Sequence, residues 1–497
     1  MAKLLNVKNA PFAQLSAEEE RGYLKEIFYK QPCYDTLVNL AEEGASRFVL
    51  GQRGQGKSAT ILHLLEDMKE LKLLPILIDQ YDEFPERNNK NYFLYTMITR
   101  LTFELAECMM HDASLGKKLN PTHKQQLGLY LEMFYDPITA KHCVESAEAI
   151  ASKRRWNKVK TYVNKHIPLL NRVFGIAVGV GLDVIKSVAG LENIDSTAYG
   201  REYFQEMQLE TYRQVPREDI VGWNTSRLKD MLNNWCDMTM EMGYKLVVFL
   251  FDKIDEISGI NGQIEKVTMF MTEFLSDTSL LYTNNISIVV SLWSEVKNAL
   301  NKQGIRFDKF KEVDIRWRNE ELVALLNKRL AYFSNNKDNP HTFESLVPNA
   351  NDRTTVLELV DKSPRALLNL LGTILDAERD VEYVSTFSSN ALSKGYVNYC
   401  RSFDYTSAQP TRTGKGSDVR IWIGKLLLLK LTSFSMNDYM TCFKTTAKAT
   451  SNHIDTLLKY NLIKVSVMPT SDGEQMYDVA DPRICYLIKR NVQSLDE

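Results

Sequence analysis

Residues 47–70 read RFVLGQRGQGKSATILHLLEDMKE, and this stretch constrains the chain more than any other. A short apolar run, Arg47–Leu50, enters a loop with glycines at 51, 54 and 56. The loop enters a segment with Ile61, Leu62, Leu64, Leu65 and Met68 at helical spacing. Glycines so placed let the backbone curl until its amide hydrogens point inward. A helix starting there turns its positive end to the same point. Such a loop seats an anion. Gly51, Gly56, Lys57 and Ser58 match the pattern G-x-x-x-x-G-K-[ST], with Gln52, Arg53, Gly54 and Gln55 between them. In that pattern Lys57 reaches the β- and γ-phosphates and the Ser58 hydroxyl ligates Mg²⁺. The expected cofactors are ATP and Mg²⁺; the other reading is a tight glycine turn with no ligand.

A triphosphatase also needs a carboxylate at the end of a buried strand. In KLVVFLFDKIDEI six apolar residues, Leu246 to Phe251, run into Asp252. That carboxylate falls at the carboxyl edge of the sheet, where it can ligate the same Mg²⁺ as Ser58. Many such enzymes place a glutamate next; here Lys253 follows. Asp255 and Glu256 are the nearest groups that could position a water. Hydrolysis is then expected to be slow or partner-dependent, with the bound triphosphate acting as a switch.

A chain of 497 residues has room for about three domains. Hydrophobic residues are 44% and charged residues 25%, which excludes a disordered chain, a collagen-like repeat and a coiled-coil rod. The formal net charge is −2, so nucleic-acid contact requires a local basic patch. Seven cysteines, none in a C-x-x-C pair, read as thiols of a reducing compartment. No apolar signal core is visible, and the chain reads as cytoplasmic. The apolar run within residues 173–191 stops at Leu182, before Asp183 and Lys186. About ten residues is half a membrane span, so the run reads as a small-residue helix or turn packed on another element, the alternative being a membrane-inserting or oligomer-forming segment, and no membrane partner is expected.

Five short runs read as strands of a largely parallel α/β sheet: Arg47–Leu50, Leu74–Asp79, Lys245–Phe251, Ile286–Leu292 and Glu312–Trp317. The fifth alternates, as an edge strand does. About 165 residues separate the second from the third, far more than a crossover needs. The expected organisation is a first part of the core at 1–99, a mainly helical insertion at 100–216 and a second part of the core at 217–318. A helical lid at 319–401, a polar linker at 402–418 and a winged helix at 419–497 follow.

GQRGQGKS and FDKIDE resemble motifs of the AAA+ and STAND branch of P-loop ATPases. Archaeal origin-recognition ATPases and bacterial antiviral STAND-like ATPases are similar in plan, over about residues 47–79 and 245–370. The resemblance implies an ASCE/AAA+-like core. It implies a sensor 1 position within Ser291 to Ser294. It implies that Arg306 is a finger for a neighbour's phosphate, the alternative being a surface ion pair. It implies that Arg365, in KSPRALLNLLG, is a sensor 2 contact to phosphate, the alternative being a surface residue at a helix start. The setting implied is antiviral defence or mobile-element maintenance, with a homo-oligomer and a partner effector protein.

Residues 419–490 read as three helices and a two-stranded wing turning at Ser471-Asp472-Gly473. Lys444, Lys448 and Lys459 flank the third helix, so it reads either as a DNA reader or as a surface packed on its own core or on a protein. The insertion contains ASKRRWNKVKTYVNKH, where cations interleave with Trp156 and Tyr162. That mix suits single-stranded nucleic acid, or forms a solvated helix face. The rival to a switch ATPase is therefore a DNA-binding loader or regulator. His63 reads as packed or surface, not catalytic.

Overall fold

The computed structural model describes residues 10–81, 89–112, 114–124, 222–257, 263–281, 285–378, 383–408, 417–467 and 474–496, with isolated positions between them. The basic run at 151–166, the apolar run at 173–191 and the wing turn at 471–473 lie outside the described residues.

Strands β1 (Arg47–Leu50), β2 (Leu74–Ile78), β3 (Val247–Phe251), β4 (Ile286–Leu292) and β5 (Lys311–Asp314) form one sheet. Their order is β2-β3-β4-β1-β5, and every pairing is parallel. Pleating sends Val49, Val248, Leu250 and Val289 into one core. Phe48, Phe249, Phe251 and Val290 enter the other. Helices on both faces account for the near-continuous apolar strands. β5 exposes Lys311 and Glu312 and lies at an edge, as its alternation implied.

Helices α1 (Pro32–Glu42) and α2 (Lys57–Glu70) cover the first face. Helices α3 (Asn89–His111), α4 (Thr225–Met242) and α5 (Ile264–Leu275) cover the second. α3 runs straight through residue 100, where the sequence reading placed the border of the insertion; its buried face packs on the sheet from Tyr92 to Met109. Helix α6 (Ser294–Lys302) follows β4.

Beyond β5 come α7 (Asn319–Phe333), α8 (Ala350–Leu359), α9 (Pro364–Asp376) and α10 (Ser389–Ser402). Ser363 caps α9 through Ala366 N, and Pro364 takes the first turn. The C-terminal unit holds α11 (Ser417–Leu429), α12 (Met436–Phe443), α13 (Ala447–Lys459) and α14 (Pro482–Lys489). Strands β6 (Ser433–Ser435), β7 (Ile463–Val465) and β8 (Met476–Val479) pair antiparallel in the order β6-β8-β7. The sequence reading named neither β6 nor α14: three residues carry too little alternation, and eight too little helical period. α14 joins this unit to the lid. Arg483 and Asp481 pair at 2.7 Å with side chains 8% exposed, and the guanidinium lies 3.7 Å from the Phe403 ring centroid. Among the described residues no helix is long and apolar enough to cross a membrane.

Candidate functional site

A cleft opens at the carboxyl ends of β1 and β3, the edge where parallel α/β sheets gather ligands. The loop before α2 forms its floor. Gly54 and Gly56 adopt left-handed φ of 81° and 86°, which glycine accepts freely. Gly51 does not, though a Cβ there would meet Gln55 Oε1 at 3.1 Å and Ile315 at 3.5 Å; at Gly54 it would meet Ser363 Oγ at 2.9 Å. Gln55 Oε1 accepts the Gln52 amide at 2.8 Å, and Trp317 Nε1 donates to the Gln55 carbonyl at 2.9 Å. Trp317, 262 residues away in sequence, thus braces the loop. α2 starts at Gly56 with no side-chain cap, so its first amides stay available to a ligand.

Lys57 Nζ donates to the carbonyls of Gly51 and Gln52, both at 3.1 Å. Desolvation pushes this ammonium's pKa down, against the pull of Asp255 and then Asp252. An anion in the loop would supply the countercharge that two carbonyls do not. Arg53, Gly54, Gly56 and Ser58 line the cleft with it, whereas Gly51, Gln52 and Gln55 form the loop's frame.

The end of β3 supplies the acids. Asp252 is buried at 4% exposure, and its carbonyl accepts from Tyr81, which also bonds the Ile78 carbonyl and so locks the ends of β2 and β3 together. Lys253 takes a left-handed φ of 58° and turns the chain into a short 3₁₀ turn, Ile254–Glu256. Asp255 is thereby half-buried and Glu256 exposed. Burial raises the pKa of both, with Lys57 opposing it at Asp255 and Asp255 adding to it at Glu256. Lys253 itself pairs with Glu18 at 2.8 Å.

Ser291 is buried inside β4 and Ser294 opens α6, while Trp293 between them lines the cleft. An indole occupies the place the resemblance gave to a polar sensor. Arg365 lines the cleft too. Its backbone amide and the Ser363 hydroxyl both donate to the Gly54 carbonyl, at 3.3 and 3.2 Å, and its Nε donates to the Leu15 carbonyl at 3.2 Å. Arg306 stands apart, exposed and paired with Asp308 at 2.6 Å, outside the cleft of its own chain. His63 is buried against Phe28, Tyr34 and Asp67, and burial lowers its pKa. It is a packed residue.

The N-terminal segment was missed. Leu15, Ala17, Glu20, Leu24 and Phe28 line the cleft, and Glu20 forms a buried ion pair with Arg329 of α7. Its sequence, QLSAEEERGYLKEI, carries charge without a motif; only Arg329, charged on the buried side of a helix, could have hinted at a partner.

The residues present fit a magnesium nucleotide. Among the described residues no three His, Cys, Asp or Glu side chains form a metal cage. Mg²⁺ needs none, since one or two protein oxygens suffice when phosphates and water complete its shell. Ser58 and Asp252 supply oxygens of that kind in the cleft.

No protein-family model matches this chain, and no curated protein matches it. Among solved structures it is similar to the Aeropyrum pernix ORC2 protein, described as ADPNP-ADP complexes, at 10% identity over 95% of this chain and 97% of that one, with a TM-score of 0.41. The Aeropyrum pernix ORC1 protein in complex with DNA matches at 12% identity over 94% and 93%, TM-score 0.35. Cdc6p from Pyrobaculum aerophilum matches at 11% over 94% and 96%, TM-score 0.31.

Proposed function

We propose that this chain binds ATP with Mg²⁺ in the cleft between core and lid and works as a nucleotide-dependent switch. The observation that carries the reading is the convergence of Lys57, Asp252, Asp255 and Arg365 on one cleft from three separated parts of the chain. Lys57 and Arg53 hold the phosphates. Ser58 and Asp252 hold the metal, whose charge would draw the phosphate oxygens toward them. Asp255, nearer to Lys57 than Glu256 is in electrostatic effect, is the group placed to orient a water. Trp293 offers that water no hydrogen-bond acceptor, which supports slow turnover. Arg365 reaches phosphate by leaving the Leu15 carbonyl, so nucleotide state would alter how the lid is held. For the setting, the resemblance favours antiviral defence with a partner effector; a nuclease or toxin gene beside this one supports it, and its absence counts against it.

A second reading, DNA binding by the winged unit, has one observation behind it. α13 turns Lys448, Ser451, Asn452, Asp455 and Lys459 to solvent. The test of the main reading is Lys57→Ala, followed by calorimetric titration with Mg-ATP. Affinity should fall by at least about 100-fold, since a charged contact to phosphate is lost. Wild-type affinity in a folded variant would sink the assignment.

A further inference from the structure

Up to Tyr23, the described residues of the N-terminal segment pack against the lid. Val7 bridges Ser334, and Lys8 N donates to the Phe333 carbonyl at 2.9 Å. Arg329 donates to the Pro11 carbonyl and pairs with Glu20, its side chain 3% exposed. Tyr23 stacks on Tyr332 with ring centroids 5.5 Å apart. From residue 24 onward the segment touches the core as well, while Lys328 of α7 still donates to the Phe28 carbonyl at 2.6 Å. Leu24 and Ile27 pack with Leu62, and Lys30 pairs with Asp67, both partners lying on α2 of the core.

One ion pair crosses from the lid-borne segment to the catalytic strand end: Glu18 Oε1 to Lys253 Nζ at 2.8 Å. Lys253 is the residue after Asp252 and the left-handed hinge that swings Asp255 into the cleft. The segment's pair to the core and its pair to α7 differ in strength. Glu18 and Lys253 are 36% and 24% exposed, so water screens their pair and separating them is easy. Glu20 and Arg329 are 10% and 3% exposed, so separating them strands buried charge. When the cleft opens, the first contact breaks and the second travels.

Resting on the nucleotide reading above, we propose that Glu18 is a positioning residue of the site. The lid delivers its carboxylate to Lys253 and thereby couples lid closure to the strand end that carries Asp252 and Asp255. Nucleotide leaves when that pair opens. Residues 10–23 move with α7 as one body.

The test uses the full-length protein with three variants: Glu18→Gln, Lys253→Met and the swap Glu18→Lys/Lys253→Glu. First, amide hydrogen exchange is followed without nucleotide. Glu18→Gln and Lys253→Met should speed exchange of residues 10–23 and 319–333 together, several-fold, leaving 32–42 unchanged, and the swap should restore protection. Exchange that stays at wild type, or that rises equally in 32–42, overturns the proposal. Second, release of a fluorescent ADP is followed by stopped flow. The single variants should release it several-fold faster, with the swap slower than either. Release unchanged in all three overturns the coupling to the site. If wild-type protein binds no nucleotide at all, the proposed function fails, and the exchange experiment still decides whether Glu18 holds the lid segment to β3.

Discussion

Asp252, Asp255 and Glu256 stand within five residues of one another, yet their surroundings separate them. Asp252 ends a buried strand, Asp255 is half-buried and feels Lys57 most, and Glu256 lines the same cleft but is exposed. Asp252→Ala should abolish Mg²⁺-dependent hydrolysis. Asp255→Asn should leave ATP bound and lower kcat by about 10²-fold, as removal of a water-positioning base does. Glu256→Gln should act more weakly than Asp255→Asn. Steady-state phosphate release, paired with a binding titration, checks all three. Equal rates for wild type and Asp255→Asn would show that another group positions the water. At this scale the phosphate loop was legible, because eight contiguous residues carry both the turn and the charge. Trp317 and Trp293 were not, because nothing local to an indole says which loop it will meet.

Among the elements, the C-terminal unit is the least committed. Its helices follow from apolar period and caps: Ser435 and Thr446 each accept an amide at the start of α12 and α13. The exposed side of α13 mixes Lys448 and Lys459 with Asp455. A duplex lying on that face would be held through phosphates, so binding should weaken steeply with salt. Lys448→Ala should lower the slope of log affinity against log salt by about one. Fluorescence anisotropy with a labelled duplex at several salt concentrations measures it. A slope near zero in the wild type would leave α13 as a surface for protein rather than DNA.

At the scale of the whole molecule, Arg306 bears on assembly. Arg306 lies outside its own chain's cleft and pairs with Asp308, so its chemistry can only be in trans or structural. If it serves a neighbour's site, Arg306→Ala lowers hydrolysis without weakening ATP binding. Arg306→Ala protein keeps its phosphate loop, and Lys57→Ala protein keeps its arginine. Mixed oligomers of the two should regain part of the activity, and a trans arginine is worth about three orders of magnitude or more in rate. Mixed assembly is confirmed by sizing. Mixed oligomers that stay inactive would assign Arg306 to its surface ion pair alone.

The sequence by itself determined what is local. Strand, loop and helix at 47–70 follow from glycine placement and helical period. The acid after β3 follows from an apolar run that ends in charge. The edge position of β5 follows from its alternation. What only the tertiary structure decided is which distant pieces meet. Insertion of β4 between β1 and β3 follows from pairing across hundreds of residues. Gly54 meets the start of α9, more than 300 residues on, through bonds to a backbone carbonyl that any residue could offer. The N-terminal segment joins the lid through Arg329 and the core through Lys253, and its own residues show only ordinary surface charge. Backbone propensity acts over a few residues and leaves a pattern that can be read. Packing and ion pairing act through space, and the chain records them only as isolated side chains whose partners are named when the fold closes.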